Sequence, residues 1–529
     1  MHKKSTQLFN YANASISEKY TTIIWLITSV AYLLMVRLPN LQYEVINWDE
    51  STFIISSADI LKGHLPYIYT LDNKPPVLYF TIAIALWLWK SVISVRLLGA
   101  LFVWGTSLFV FLIIRKNYGI KFAFVLSLLF IALMDAPYAQ HTSSEVIAIL
   151  YLIAAIWALI NFDSIVMSFV SGVLMSLAIL VRTNLIITAF AGGIYLLTLF
   201  LKDKKRLNLA RGMLYILGGI IPPILIYAIY ALNGQADYFK LGLITIPMSY
   251  SAARISMLGV FLRLGYLWLK YCLSNPGVAV PVSLTTILLL TDITVQIKRK
   301  KWYANCKQFL RSIWAEMDES ALKNLLLVLC FATTFISILV SGGVYAHYLI
   351  QLFPFVAILL AFLMSRIEQG KIKRLAFALS VLAIITTFYR LPDTVYVLTN
   401  FSQLEKDYKG RKIAATLEGQ LSESDEIWAI EYHITLLYLD KNPIIPLVTH
   451  PSNLGKASYK TALSKFDPQM RDPFELILAK APKVILSSPN ISDGSMTEDQ
   501  NKFLLEYVEK YYTLKSEVDQ IKVFIRKGS

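Results

Sequence analysis

The chain is punctuated by apolar runs long enough to cross about 30 Å of hydrocarbon, and this feature limits its fold more than any other. Eleven such runs can be read, at roughly 21–37, 97–114, 121–138, 145–161, 165–180, 185–201, 212–232, 277–297, 324–341, 347–364 and 375–391. Backbone polar groups in lipid must be satisfied internally, so these runs are expected to be helices. Of 529 residues, 56% are hydrophobic and only 16% charged, against about 45–50% and about 25% in a soluble domain. A disordered chain, a soluble nucleic-acid binder and a disulfide-stapled secreted domain are thereby excluded. Three cysteines (Cys272, Cys306, Cys330) supply neither a disulfide framework nor metal-ligand spacing. The first run follows Lys3, Lys4 and Lys19 and has no small-residue cleavage site, so it reads as a retained signal anchor.

The net charge of +15 belongs to membrane orientation, because basic residues collect in cytoplasmic loops. With a cytoplasmic N-terminus, the inner loops 115–121, 202–211, 298–311 and 365–374 hold 18 Lys/Arg in 41 residues. The outer loops 38–75, 138–144, 181–184, 233–275 and 342–346 hold 7 in 97. Pro76–Trp89 is apolar but only 14 residues long, which suits a re-entrant or interfacial helix. Counting it as a crossing would invert every later basic loop.

The expectation is a polytopic all-α membrane domain over 1–391, with about eleven transmembrane helices and juxtamembrane helices in a large first outer loop (38–96). Residues 392–529 are a different material, polar and mixed in charge. Strand-like runs at Glu426–Ile430, Lys483–Ser487 and Ile521–Arg526 alternate with helix-like stretches at about 409–421 and 499–512, the pattern of a small soluble α/β domain. Odd span parity places that domain on the outer face. No internal repeat or low-complexity segment interrupts the chain.

Ionisable residues at span ends are costly and mark function. Here they gather on the outer face. The first loop carries Asn47-Trp48-Asp49-Glu50, Gly63-His64-Leu65-Pro66-Tyr67 and Asp72-Asn73-Lys74-Pro75-Pro76. His141 and Glu145 follow where spans three and four meet, Arg182-Thr183-Asn184 interrupts the next hairpin, and Tyr345, His347 and Tyr348 open span ten. Each residue also has a plainer reading. Lys74 can snorkel at the interface, His141 and His347 can be core histidines, and Glu145 in Thr142-Ser143-Ser144-Glu145 fits a helix-capping motif. Arg182 is harder to explain away, since a guanidinium at the end of an apolar hairpin needs an anionic partner and a lipid phosphate supplies one.

The ordered set Trp48-Asp49-Glu50, Gly63-x-x-Pro66-Tyr67 and Asp72-Asn73-Lys74-Pro75-Pro76-x-x-Tyr79 resembles the first loop of the PMT-type GT-C glycosyltransferases. Protein O-mannosyltransferases and bacterial lipid A aminoarabinose transferases belong to that group. Glu145 resembles its second acidic position, and His347-Tyr348-Leu349 with Pro354 resembles its late His-Tyr element. The resemblance covers about residues 20–390. The chain departs from it at Asn73, where aminoarabinose transferases have an acid, and at Arg182-Thr183-Asn184, where many relatives have Lys-Gly.

The resemblance implies a bacterial cytoplasmic-membrane enzyme that moves a sugar, with inversion, from a polyprenyl-phosphate donor to a glycan, lipid or protein acceptor on the outer face. An acceptor hydroxyl needs a carboxylate to take its proton, for which Asp49, assisted by Glu50 or Glu145, is the expected group. The leaving phosphate needs pre-placed cations. Lys74 and Arg182 are expected there, supported by His347 and Tyr348, with His64, Tyr67, Tyr79 and His141 lining the remaining groove. His141, Glu145 and His347 form a candidate divalent-metal set, although a phosphate already served by Lys and Arg does not require one. An O-antigen ligase or polymerase shares the donor class but keeps its key residues in a late loop. A lipid-linked sugar flippase is expected to carry polar residues through the bilayer, and these span interiors are nearly free of charge.

Overall fold

The computed structural model describes residues 2–251, 256–299, 318–341, 345–367, 370–488 and 496–528. Most of the inner loop 298–311, with Cys306, lies outside the described residues, as does most of the loop 342–346. The helices in chain order begin with α1 (His2–Arg37), α2 (Trp48–Ile60), α3 (Pro76–Leu88), α4 (Val92–Tyr118), α5 (Ile120–Leu133), α6 (Ser144–Asn161) and α7 (Ile165–Ile179). Next come α8 (Ile186–Asp203), α9 (Arg206–Leu232), α10 (Ala236–Lys240), α11 (Ile246–Ser251), α12 (Met257–Ser274) and α13 (Pro276–Arg299). The bundle closes with α14 (Glu319–Val340), α15 (Phe353–Arg366) and α16 (Lys371–Thr386).

Among the described residues, eight helical stretches are long and apolar enough to cross a membrane, so the chain is a multi-pass membrane protein. Each of the eleven expected runs coincides with a helix; α5, α7 and the apolar part of α13 are the short ones. Helix α3 has 13 residues, about 20 Å of rise, too short to span upright. Proline opens it at the first helical position, where its missing N–H costs nothing. The bundle packs through small residues where backbones meet, as at Gly172 and Gly218 between α7 and α9.

One end of the bundle gathers the basic loops. Lys116 Nζ donates to Asn161 O, Arg211 pairs with Asp163, Tyr118 donates to Asn324, and Lys373 lies over Phe122. The opposite end carries the first loop and the starts of α6 and α15. The sequence leaves 233–275 as loop, and the structure corrects this: α12 is an 18-residue helix. Its Phe261 packs on Phe335 and its Tyr271 on Tyr138 and Phe353. Arg263 and Lys270 break its apolar pattern and so hide it from a span reading.

Helix α17 (Leu391–Asp407) leads out of the bundle, tied at its base by Arg390, whose Nε donates to Asp135 at 2.8 Å, and by Tyr389, which donates to the same carboxylate at 2.8 Å. The tail then builds α18 (Lys409–Leu417), α19 (Thr435–Leu439), α20 (Ala457–Phe466), α21 (Pro473–Lys480) and α22 (Glu498–Tyr511) around a four-stranded sheet. Its strands are β1 (Ile427–Ala429), β2 (Val484–Ser487), β3 (Tyr512–Val518) and β4 (Ile521–Arg526), in spatial order β1-β2-β4-β3. β1 and β2 run parallel, with Trp428 opposite Ile485, and the remaining pairs are antiparallel. Strand β3 escapes the sequence because its residues are mostly exposed.

Candidate active site

Asn47 Oδ1 accepts the backbone N–H of Asp49 at 2.8 Å, so α2 starts at Trp48 and presents Asp49 and Glu50 from its first turn, where the helix dipole favours carboxylates. There the two neighbours part. The Asp49 side chain is 33% exposed, and its Oδ1 lies 3.3 Å from Nε2 of His450 in the tail. Burial alone would raise the Asp49 carboxyl, but the hydrogen bond from His450 and the charges of Lys74 and His347 hold it well below the usual carboxylate range.

Glu50 is 1% exposed. Its Oε2 accepts from Arg96 at 2.9 Å and its Oε1 accepts the backbone N–H of Thr142 at 2.7 Å. Burial pushes this carboxyl up, and the charges of Arg96 and His141 together with the hydrogen bonds from Arg96 and Thr142 bring it below its ordinary value. Arg96 also donates to the carbonyls of Asn40, Tyr43 and Glu44, so the pair fastens the first loop to α4 and to the turn before α6. Both Glu50 oxygens are turned inward and engaged.

The cations come from two segments that the backbone stitches together. Val77 N donates to Leu180 O at 3.1 Å, which seats the start of α3 against the hairpin carrying Arg182. Lys74 Nζ donates to Asn73 Oδ1 at 2.7 Å. Burial lowers the Lys74 ammonium, yet the carboxylates of Asp72 and Asp49 raise it further than burial lowers it. Arg182 Nη1 lies 2.6 Å from Glu145 Oε1, and its guanidinium stacks 4.5 Å above the Tyr348 ring. Asn184 accepts from Arg182 Nε and donates to Ser337 and to Gln351, each at 2.9 Å. Arg-Thr-Asn thus supplies a cation and its own bracket. Lys74, Arg182, Asn184, Pro247, Ser337 and Tyr348 line a cavity of about 270 Å³.

Glu145 sits in the first turn of α6, capped by Ser143 as the sequence motif indicates. Its carboxylate faces Arg182, with Ser144 Oγ 3.2 Å from its second oxygen. His347 Nε2 lies 3.7 Å from Glu145 Oε1. Tyr67 donates to Lys74 O at 2.6 Å and Tyr79 to Asp72 Oδ2 at 3.1 Å, their rings edge to face at 6.1 Å. Both are buried, so they brace the lysine turn from behind instead of lining a groove.

His64 is not brought to the site. Its Nδ1 lies 2.7 Å from Asp59 near the far end of α2, about 15 Å along the helix axis from Asp49. It lines a larger cavity of about 1090 Å³ between the first loop and the tail, beside Lys62, Lys90 and Asp440. His141 is buried, with neither ring nitrogen hydrogen-bonded among the described residues. Burial lowers its imidazole, against the opposing pull of Glu50, Asp49 and Glu145. His141 and His347 stand 6.4 Å apart ring to ring, but Glu145 between them is taken by Arg182. Among the described residues, no three His, Cys, Asp or Glu groups are disposed to hold a metal ion.

Two residues here lie beyond the sequence reading. Arg96 carries a signal, a charge inside an apolar helix that demands a buried partner. His450 carries none, since only the fold brings Thr449-His450-Pro451 of the tail onto α2.

No protein-family profile matches the sequence, and neither does any curated protein. Among solved structures, ArnT from Cupriavidus metallidurans bound to undecaprenyl phosphate overlays with a TM-score of 0.63 at 14% identity, covering 96% of this chain and 98% of that one. The apo form of the same protein gives 0.62 at 14% identity over 95% and 98%. The Archaeoglobus fulgidus oligosaccharyltransferase in complex with Zn and sulfate overlays more loosely, at 0.48 and 12% identity over 95% of this chain and 73% of that one. The overlay with ArnT runs through bundle and tail alike, and the chain has the GT-C fold of the ArnT type.

Proposed function

We propose that this protein is a glycosyltransferase that moves a sugar from a polyprenyl-phosphate donor to an acceptor hydroxyl. The observation that carries the reading is the division of charge at one end of the bundle. Asp49 is partly exposed and ionised, and Lys74, whose charge acts on it, lines a small cavity together with Arg182. In the reaction, the bond from the sugar C1 to the phosphate oxygen breaks as a bond to the acceptor oxygen forms. Asp49 takes the acceptor proton, and the charge growing on the polyprenyl phosphate is met by Lys74 and Arg182. Glu145 and Tyr348 hold the guanidinium in place for that task. Attack from the side opposite the cations gives inversion.

The loaded ArnT neighbour, named for its bound undecaprenyl phosphate, supports the donor class. The clustering of basic loops at the end away from the site supports a cytoplasmic N-terminus and an outward-facing site and tail in a bacterial cytoplasmic membrane. The sequence-drawn division at residue 391 is kept as the division of labour, with the bundle holding the donor and the tail covering the acceptor side. The test is release of free polyprenyl phosphate by purified protein from a panel of radiolabelled polyprenyl-phosphate sugars, with Lys74→Ala beside wild type. Release from one donor, reduced in the variant, is the expected result. Absence of both release and donor binding across the panel would overturn the reading.

A further inference from the structure

The tail sits on the site through one short segment. Leu71 N donates to Pro446 O at 3.1 Å and to Thr449 Oγ1 at 3.1 Å, and Thr52 Oγ1 donates to Thr449 O at 3.3 Å. Trp48 packs against Tyr432 and His433. These contacts clamp residues 446–452 across the start of α2 and fix where His450 points. Its Nε2 lies 3.3 Å from Asp49 Oδ1. On the other side of the ring, the backbone N–H of Ser452 points at Nδ1 from 3.1 Å, and Ser452 Oγ lies 3.0 Å from the same atom.

A backbone N–H can only donate. Nδ1 must therefore offer its lone pair, which leaves the ring proton on Nε2, aimed at Asp49. The second nitrogen's partner sets the tautomer. An imidazolium would set an Nδ1–H against the Ser452 N–H. We infer that His450 of the tail is a positioning residue for the transfer reaction: as a neutral imidazole it donates from Nε2 to Asp49 Oδ1. That bond fixes the carboxylate plane, stabilises its ionised form and leaves Oδ2 to take the acceptor proton. The inference rests on the reading of Asp49 as the acceptor's base. It makes the soluble domain part of the catalytic centre, since Asp49 is in register only while the tail is docked. The other titratable groups that Asp49 acts on or is acted on by are Lys74, His347, His141 and Lys456.

Two measurements on the full chain in detergent test it. In histidine-selective 15N NMR, His450, one of six histidines and identified by its loss in His450→Gln, should show the neutral Nε2–H tautomer near neutral pH. Its resonances should move in Asp49→Ala. An Nδ1–H tautomer, an imidazolium, or indifference to Asp49→Ala would overturn the inference whatever the donor proves to be.

The kinetic arm uses the donor that wild type turns over. Gln places an N–H where Nε2 stands, so His450→Gln should stay within about threefold of wild-type kcat. His450→Leu should lose about 10- to 100-fold in kcat with little change in KM, and its acid limb should move to higher pH. Should the leucine variant not fold, His450→Asn, whose amide falls one bond short, should show the same loss relative to Gln. Equal rates in Gln, Asn and Leu variants would overturn the positioning role. If instead Asp49→Asn itself kept full turnover, the reading of the site would fail, and the two failures are thereby told apart.

Discussion

Two cavities are each lined in part by the first loop, and they differ in what they do with charge. The larger, about 1090 Å³, lies between the first loop and the tail. Its ions pair across the gap: Lys62 and Lys90 reach Asp440 at 3.5 and 2.8 Å, with the Asp440 side chain 62% exposed. The smaller, about 270 Å³, brings Lys74 and Arg182 together, with Glu145 paired to the arginine at 2.6 Å and Asp49 acting on the lysine by charge. Like charges held side by side are costly unless a ligand of opposite sign is to come between them. Solvated pairs across a gap are worth little and hold two surfaces together. Volume is thus a poor guide here, and two cations gathered at one small cavity are a better one.

The comparison breaks first at Asp49. Replacing it by Asn should lower turnover about 10²- to 10⁴-fold, measured as polyprenyl phosphate release. Arg182→Ala should cost about 10²- to 10³-fold in kcat, and since the same change leaves Glu145 buried and unpaired, thermal melting should fall with it. Glu50→Ala separates the neighbours on α2. It strands the buried Arg96, so a destabilisation of about 3–5 kcal/mol should appear in a detergent melt, with Glu50→Gln milder and still active once folded.

The pH profile sharpens the same contrast. The folded Asp49 carboxyl is depressed, so it stays ionised as pH falls and is protonated only below the reference value of about 3.9. Its contribution is present above that value and lost beneath it, while Lys74, raised by Asp72 and Asp49, keeps its charge to alkaline pH. Turnover should therefore show no Asp49 or Lys74 limb between about pH 5 and pH 8. The smallest effect belongs to the larger cavity. Lys90→Ala and Asp440→Ala should change turnover by less than about twofold, since exposed pairs contribute about 0–1 kcal/mol; a large loss would move the acceptor into that cleft.

Much of this was legible from residue order. Apolar runs give the helices because lipid leaves the backbone no other partner, and the strands β1, β2 and β4 show as buried apolar stretches. Lys74, Arg182 and Asp49 stand out as charges at span ends. Roles were harder to read than positions. Asp49 and Glu50 are neighbours in sequence but face solvent and core, because a helix turns about 100° per residue. Tyr67 and Tyr79 look like groove residues until their hydroxyls are seen tying down Lys74 and Asp72. His450 is beyond reach of sequence because no local pattern announces a contact made by docking one domain on another.

The most direct measurement takes wild type and Asp49→Asn in the same preparation and records undecaprenyl phosphate binding beside turnover of the donor. If Asp49 handles only the acceptor's proton, binding should stay within about threefold while turnover falls about 10²- to 10⁴-fold. Retained turnover, or binding lost in step with it, would contradict the division of labour between the carboxylate and the cations.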